Sequence, residues 1–294
     1  MGIRGMGIRL VYGLKTEDTG YLDSFYPSRR LAEAARDLGI DYDAAIHYAG
    51  YPFSRAVEFC AGHVALLRGE LPIELYEELE ASGISVVNCA SATSLAADKL
   101  GQARRYAAIG AAHPRTAAID PSERRAPLGF PFVVKPRYGM MGRGVALVDS
   151  YTRWLSFMDS GEPERVPYVA QEYVEPSRGR DVRFFFARFD DEEPYPTAIA
   201  VIREAEGLAS NSHSGGVMRP FDPPAGLAAE AKRVFDDSGL AYGTVDFLFG
   251  NEEATSFVVC ETNACPGFEA LEGTCGIDAA RAVLLAAIRW KGAS

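Results

Sequence analysis

Several stretches of this chain carry residue types that handle phosphate and divalent metal. The first is Tyr138-Gly-Met-Met-Gly-Arg-Gly144, with Lys135 just upstream. Gly139, Gly142 and Gly144 leave backbone N–H groups open to close approach by phosphate oxygens, and Lys135 can add a point charge. A simple glycine-rich turn between two strands is the plainer alternative. No Gly-Lys-Ser/Thr closes the loop, so it is not a Walker A loop. A strand pattern rather than a helix follows it, which removes a dinucleotide fingerprint.

The second stretch is acidic. Asp246 lies in Gly243-Thr-Val-Asp-Phe-Leu-Phe249, and Glu261 and Asn263 lie in Val258-Val-Cys-Glu-Thr-Asn263. At i and i+2 of a strand, Glu261 and Asn263 share a face. A connection near 250–256 makes the two strands a hairpin and sets Asp246 opposite or diagonal to that pair. Two carboxylates and an amide oxygen form a hard-oxygen set suited to Mg²⁺, which then recruits phosphate. A solvated sheet edge is the alternative. It sits poorly with Val258, Val259 and Cys260, because a carboxylate in an apolar strand needs compensation. Asp181-Val-Arg183 puts opposite charges on one strand face and reads equally as a salt-bridged face or as part of a site. Ser210-Asn-Ser-His-Ser-Gly-Gly216 is a polar loop, in which His213 reads as a surface residue rather than a base.

These groups need elements to hold them. From Ile8 to about Asn88, strand and helix patterns alternate: a strand over Ile8–Tyr12, a helix from Pro27 stopped by Gly39, a strand over His63–Leu67, a helix over Ile73–Ala81 and a strand over Ile84–Val87. Such alternation predicts a parallel sheet. One helix follows, over about Ser94–Ile109. From Phe130 strands dominate, over Phe130–Lys135, Gly144–Val148, Tyr168–Val174, Asp181–Phe189, Thr197–Arg203, Gly243–Phe249 and Ala254–Asn263. They predict a largely antiparallel sheet, with one helix after Asp222-Pro-Pro and another over Asp278–Lys291.

The 294 residues, 48% hydrophobic and 24% charged, suit a globular chain of two or three units and exclude disorder or a small disulfide scaffold. A net charge of −10 repels phosphate backbones and argues against nucleic acid as partner. The five cysteines form no C-x-x-C pair and read as reduced thiols of a cytoplasmic protein. No apolar run approaches the ~18 residues of a membrane span. The opening Met1-Gly-Ile-Arg-Gly-Met6-Gly-Ile-Arg9 lacks an apolar signal core and reads as an alternative start at Met6.

Taken together and in order, a set of strings resembles the ATP-grasp superfamily, and within it the carboxylate–amine ligases of the RimK and LysX type. They are Val87-Asn-Cys-Ala-Ser91, Ala97-Asp-Lys99, Pro114-Arg-Thr116, Phe132-Val-Val-Lys-Pro136, the loop to Gly144, Gln171-Glu-Tyr-Val174 and Arg180-Asp-Val-Arg183. Ser210-Asn211 with Gly215-Gly216, Val245-Asp246 and the run from Glu261 through Pro266 to Thr274 complete the set. The similarity extends from about His63 to the C-terminus.

The resemblance implies an α/β and α+β ATP-grasp fold. A Rossmann-like parallel-sheet domain would occupy 1–91, a central subdomain with a glycine-rich lid 92–174, and a mainly antiparallel C-terminal subdomain with the Mg/ATP site 175–294. It implies that Lys99, Lys135 and the loop glycines Gly139, Gly142 and Gly144 contact ATP phosphates. Glu172, Tyr173 and Val174 would form the adenine hinge, Gln171 would also bind the nucleotide, and Asp181 would lie near the ribose. Asp246, Glu261 and Asn263 would hold Mg²⁺, as two ions that Mn²⁺ can replace. Lys135, Arg183 and Asn211 would be catalytic, with Arg183 near the transferred phosphate and Asn211 between nucleotide and substrate.

The implied reaction is amide-bond formation through an acyl phosphate. It would join an amino acid, glutamate first, to a small-molecule, peptide or carrier-bound substrate, in a homodimer or homotetramer. Dipeptide or glutathione-type synthesis and a silent nucleotide-binding scaffold are the alternatives. The chain departs from the type at Ala209 and Ser214, uncharged where the loop usually carries basic residues, which weighs against an acidic protein tail as acceptor. It also has Cys265 where small or amide residues are usual.

Overall fold

The computed structural model describes residues 7–15, 18, 20–139, 142–189, 198–208 and 216–289. The first part is a parallel sheet with helices. In chain order it comprises β1 (Ile8–Gly13), α1 (Gly20–Ser24), α2 (Tyr26–Leu38), β2 (Tyr42–His47), α3 (Phe53–Cys60), β3 (Val64–Gly69), α4 (Ile73–Ala81) and β4 (Ser85–Val87). The strand order is β2-β1-β3-β4, with every pairing parallel. The sequence reading lacks β2 and α3. Strand β2, Tyr-Asp-Ala-Ala-Ile-His, lies at the sheet edge and is mostly part-exposed, and with Asp43 and His47 beside Tyr42 and Ile46 it shows neither a long apolar run nor a clean alternation.

The helix expected over Ser94–Ile109 is two helices, α5 (Ala90–Ala97) and α6 (Lys99–Ala108). Asp98 breaks it at φ −96°, ψ 98°, accepting from Leu100 N at 3.0 Å as the N-cap of α6. The Asp98 carboxylate is also gripped by Arg137, through Nε at 2.7 Å and Nη2 at 2.5 Å.

The strands from Phe130 onward form two antiparallel sheets rather than one. The central sheet, ordered β5-β8-β6-β7, contains β5 (Thr116–Ala118), β6 (Phe132–Pro136), β7 (Ala146–Val148) and β8 (Tyr168–Glu172). One of its faces buries Phe132, Val134 and Tyr168 with Trp154 and Met158 of α7 (Tyr151–Asp159), which α8 (Glu162–Arg165) follows. The C-terminal sheet, ordered β11-β10-β9-β12-β13, contains β9 (Arg180–Ala187), β10 (Ala198–Glu204), β11 (Val217–Pro220), β12 (Tyr242–Phe249) and β13 (Phe257–Asn263). Alternation along β9 sends Phe184 and Phe186 to α9 (Ala225–Asp237), whose Leu227, Ala231, Val234 and Phe235 they meet. Phe185 points the other way, into a core shared by β1, α2, α10 (Glu269–Cys275) and α11 (Ala279–Arg289). Helix α11 is buried along nearly its whole length, from Ala279 to Ala287, because it touches elements of both the parallel and the C-terminal sheet.

Asn88, 3% exposed, joins the end of the parallel sheet to the C-terminal sheet. Its Nδ2 donates to Tyr242 O and Ala264 O, each at 2.9 Å, and its Oδ1 accepts from Ala241 N at 2.7 Å and Tyr242 N at 3.3 Å. Asn88→Ala leaves these interior backbone groups unpaired. It is expected to lower stability by about 3 kcal/mol, seen as a fall in denaturant midpoint at unchanged slope.

Candidate active site

Register places the charged residues of the C-terminal sheet in one stripe. Asp246 on β12 is opposite both Arg183 on β9 and Glu261 on β13, and Asp181 on β9 is opposite Arg203 on β10. Residues directly opposite share a face, so Arg203, Asp181, Arg183, Asp246 and Glu261 are neighbours. Asn263, two residues after Glu261, continues the row opposite Thr244. The pairing slips between Asp246 and Phe247, where Glu261 and Val259 are the successive partners and Cys260 is left over as a bulge. Past the bulge the hairpin keeps its apolar pairs, while Glu261 stays aligned with Asp246.

The stripe is held by ion pairs. Arg183 grips Asp246 bidentately, Nε to Oδ1 at 2.8 Å and Nη2 to Oδ2 at 2.6 Å. Arg203 grips Asp181 in the same manner, at 2.8 and 2.5 Å, and its Nη2 also reaches Asp246 Oδ2 at 2.9 Å. Burial alone would raise the Asp246 carboxyl, but the Arg183 and Arg203 guanidiniums outweigh it and hold the group below the usual carboxylate range. The spacing at Asp181 and Arg183 therefore does give salt bridges, though to the adjacent strands and not to each other. Arg203 is the residue the sequence reading misses. It ends an apolar run, Ile199-Ala-Val-Ile202, and its only signal is a place on the same alternation as Ile199 and Val201.

Across from this stripe, the central sheet contributes Lys135 and Gln171. Lys135 is opposite Val169, so Gln171 is its diagonal neighbour, and Lys135 Nζ donates to Gln171 Oε1 at 2.9 Å. Gln171 in turn donates to Thr116 Oγ1 at 3.1 Å, which fixes its amide. The Cys260 thiol lies 3.9 Å from the same Oε1, bringing β13 against the central sheet. Lys99, the first residue of α6, donates to Gly139 O at 2.7 Å and so ties the start of the glycine loop to the helix. Burial lowers the Lys99 pKa and the Lys135 charge adds to this, while Glu261 pulls it back up. Lys99 and Lys135 thus stand close together, beside one carboxylate of the acidic row.

The other predicted residues are placed as follows. Gly142 and Gly144 have φ of 69° and 72°, and a Cβ on Gly144 would meet Pro136 Cγ at 2.9 Å. Glu172 Oε2 accepts from Arg115 Nε at 3.3 Å, and Tyr173 and Val174 follow β8 on the way to a short 3₁₀ turn at Glu175–Ser177. Asn211 lies outside the described residues, as do Ala209, His213 and Ser214.

No three His, Cys, Asp or Glu side chains cluster in metal-holding fashion among the described residues. The acidic row fits a hard cation only as two carboxylates with an amide oxygen, and Asp246, whose Oδ2 accepts from two guanidiniums and Oδ1 from one, has only an Oδ1 lone pair left to offer. Glu261 accepts no hydrogen bond among the described residues, whereas Asn263 Oδ1 accepts one, from Cys265 N at 2.9 Å. Such a set leaves coordination positions for phosphate oxygens or water, as Mg²⁺ sites do.

The architecture is thus a parallel sheet followed by two antiparallel sheets, with Lys135 of the central sheet and Lys99 of α6 beside the acidic row of the C-terminal one. Two solved structures share it across the whole chain: an ATP-grasp RimK domain protein from Sphaerobacter thermophilus (TM-score 0.70, 21% identity, covering 96% of this chain and 99% of that one), and D-alanine–D-alanine ligase from Bacillus anthracis complexed with ATP (TM-score 0.68, 17% identity, 97% and 96%). In sequence, residues 95–288 match the RimK-like ATP-grasp domain model. A protein of an Enterobacter species named "Probable alpha-L-glutamate ligase" is 30% identical over 246 residues, 81% of this chain and 78% of its own length. The chain belongs to the RimK-like ATP-grasp family, and it is a ligase.

Removing the charge that Arg183 and Arg203 share should have a pH-dependent cost. The Asp246 pKa lies below its unfolded value of about 3.9, so its contribution is full above that value and disappears as pH falls through the folded one. Asp246→Asn is expected to lose about 3 kcal/mol at neutral pH. In urea titrations the gap to the unsubstituted protein should begin to narrow below about pH 4 and go on narrowing as pH falls further.

Proposed function

We propose that this ligase forms an amide bond between an amino acid, glutamate first, and a second substrate through an acyl phosphate. The observation that carries the proposal is the alignment of Asp246 opposite Glu261, with Asn263 beside them and Lys99 and Lys135 across the gap. A carboxylate does not acylate an amine unaided, because its leaving group would be oxide. In the first step a carboxylate oxygen attacks the γ-phosphorus of ATP, and the bond to ADP breaks. In the second the amine nitrogen attacks the acyl carbon, inorganic phosphate leaves with the bonding pair, and the nitrogen gives up a proton. No covalent enzyme intermediate is needed, so the protein's work is positioning and charge neutralisation.

On this reading Lys99 and Lys135 face the phosphates. Their mutual repulsion and burial, which depress Lys99, favour an incoming polyanion. Arg183 is oriented by Asp246 through Nε and Nη2, which leaves Nη1 without a partner among the described residues and free to meet charge on the transferred group. Asp246, Glu261 and Asn263 would hold Mg²⁺, as two ions, with Mn²⁺ as a substitute. The metal supplies neutralisation of phosphate charge when bound. The loop through Gly139, Gly142 and Gly144 would close over the phosphates and exclude water. Residues 172–174 would present backbone groups to adenine, and Asp181, fixed by Arg203, would lie near the ribose. Asn211 would stand between nucleotide and substrate. The same reading divides the chain at 91/92 and 174/175.

Glutamate is favoured by the name carried by the Enterobacter relative. The second substrate would be a small molecule, a peptide or a carrier-bound group.

The reading is tested by ADP release across amino acids and small peptides, with mass spectrometry of the products. Glutamate-dependent release and a product heavier by a glutamyl residue are expected; release driven by other amino acids alone would redirect the proposal to dipeptide-type synthesis. Lys135→Ala should weaken ATP binding in titration calorimetry by about tenfold or more, for the loss of one charge-assisted contact. Glu261→Gln should abolish turnover with the fold intact, and a wild-type rate would remove the metal assignment.

A further inference from the structure

Arg68 closes β3 in the parallel sheet and is 1% exposed. A guanidinium so deeply buried ordinarily answers a carboxylate. Here none pairs with it among the described residues. Its Nη2 donates to Pro266 O at 2.7 Å and its Nη1 to Tyr242 OH at 3.3 Å, and Nε has no partner. The charge also lies over the rings of Phe268 and Tyr242, 5.1 and 5.8 Å from their centroids. A mere strut between two sheets would be cheaper as an apolar side chain, since burying an unpaired charge is costly. The contacts of Arg68 reach the start of β12 at Tyr242 and, through Pro266 O and the Phe268 ring, the segment that leaves β13.

That segment leads back to Asn263. Pro266 is fixed by Arg68, and its neighbour Cys265 presents Sγ to Gly69 N at 3.5 Å. Cys265 N in turn donates to Asn263 Oδ1 at 2.9 Å and sets the orientation of that carboxamide. We propose that Arg68 is a positioning residue for Asn263, carrying the placement of a metal-facing oxygen from the N-terminal sheet to the C-terminal one. This rests on the proposal that Asn263 faces Mg²⁺. The contacts of Arg68 are with Pro266 O, Tyr242 and Phe268, not with the residues proposed to hold metal or nucleotide. Arg68 acts through the main chain of 265–266, so the parallel sheet is part of the machinery that forms the cation site.

The test measures ADP binding to the full chain by calorimetry, across a Mg²⁺ series and in excess chelator. Arg68→Met is expected to raise the Mg²⁺ concentration for half-maximal binding by about tenfold or more, the usual size for loss of a group that orients a metal ligand. Affinity for ADP in chelator should stay within about twofold, because the lysines and the loop do not depend on Arg68. A purely structural role would weaken both together, and that result overturns the proposal. So does a folded Arg68→Met with the wild-type Mg²⁺ requirement. If Arg68→Met does not fold, Tyr242→Phe decides by the same readout. It removes the acceptor of Nη1 while keeping the guanidinium, its bond to Pro266 O and the ring beneath it, and should shift the Mg²⁺ requirement in the same direction by a smaller factor; no shift overturns the proposal. Should the unsubstituted protein bind ADP without regard to Mg²⁺, the metal assignment fails first, and no variant is needed to see it.

Discussion

One buried carboxylate organises the C-terminal sheet. Asp246 lies on a central strand, 5% exposed, and both its oxygens are taken by guanidiniums from the adjoining strand and the one beyond. An ionised carboxylate at that depth survives only because Arg183 and Arg203 outweigh its desolvation. The arrangement fixes much else. Arg183 must sit opposite Asp246, Arg203 must reach past Asp181, and Glu261 must stay aligned across the hairpin. The bulge at Cys260 reconciles that alignment with the apolar pairing of Phe247 and Phe249.

The sheet pays for this polar row with apolar surface elsewhere. On the same face of β9, Asp181 and Arg183 give way to Phe185 and Ala187, which enter the core beside α11. On the reverse face Val182, Phe184 and Phe186 pack with α9. A strand of period two thereby serves two cores and one charged cleft. The central sheet repeats the division on a smaller scale, with Phe132 and Val134 inside and Lys135 on the cleft side. Apolar packing on both sides of the charged cleft makes its side chains stiff, which suits a site whose chemistry is placement.

Much of the fold was legible because local patterns and tertiary demands agreed. Helix α2, with Leu31, Ala34 and Ala35 inward and Gly39 at its end, was readable from spacing, as were α4, α9 and α11. The hairpin of β12 and β13 was readable too, and with it the approach of Asp246 to Glu261. Strands β2, β5 and β11 were not, because β5 and β11 run for only three and four residues and β2 sets Asp43 and His47 among its apolar residues. The break at Asp98 escaped for a different reason, since the Arg137 that rewards it lies far along the chain.

The sequence by itself determined the residue types of the site, the order in which they occur, and their distribution along strands, because alternation and capping act over a few residues. It could not divide the later strands between two sheets, nor close Arg183 on Asp246 and Arg203 on Asp181, nor bring Arg68 to Pro266. Those are pairings across strands and between sheets. They depend on register and on which charges lose water together, and only the folded chain sets both.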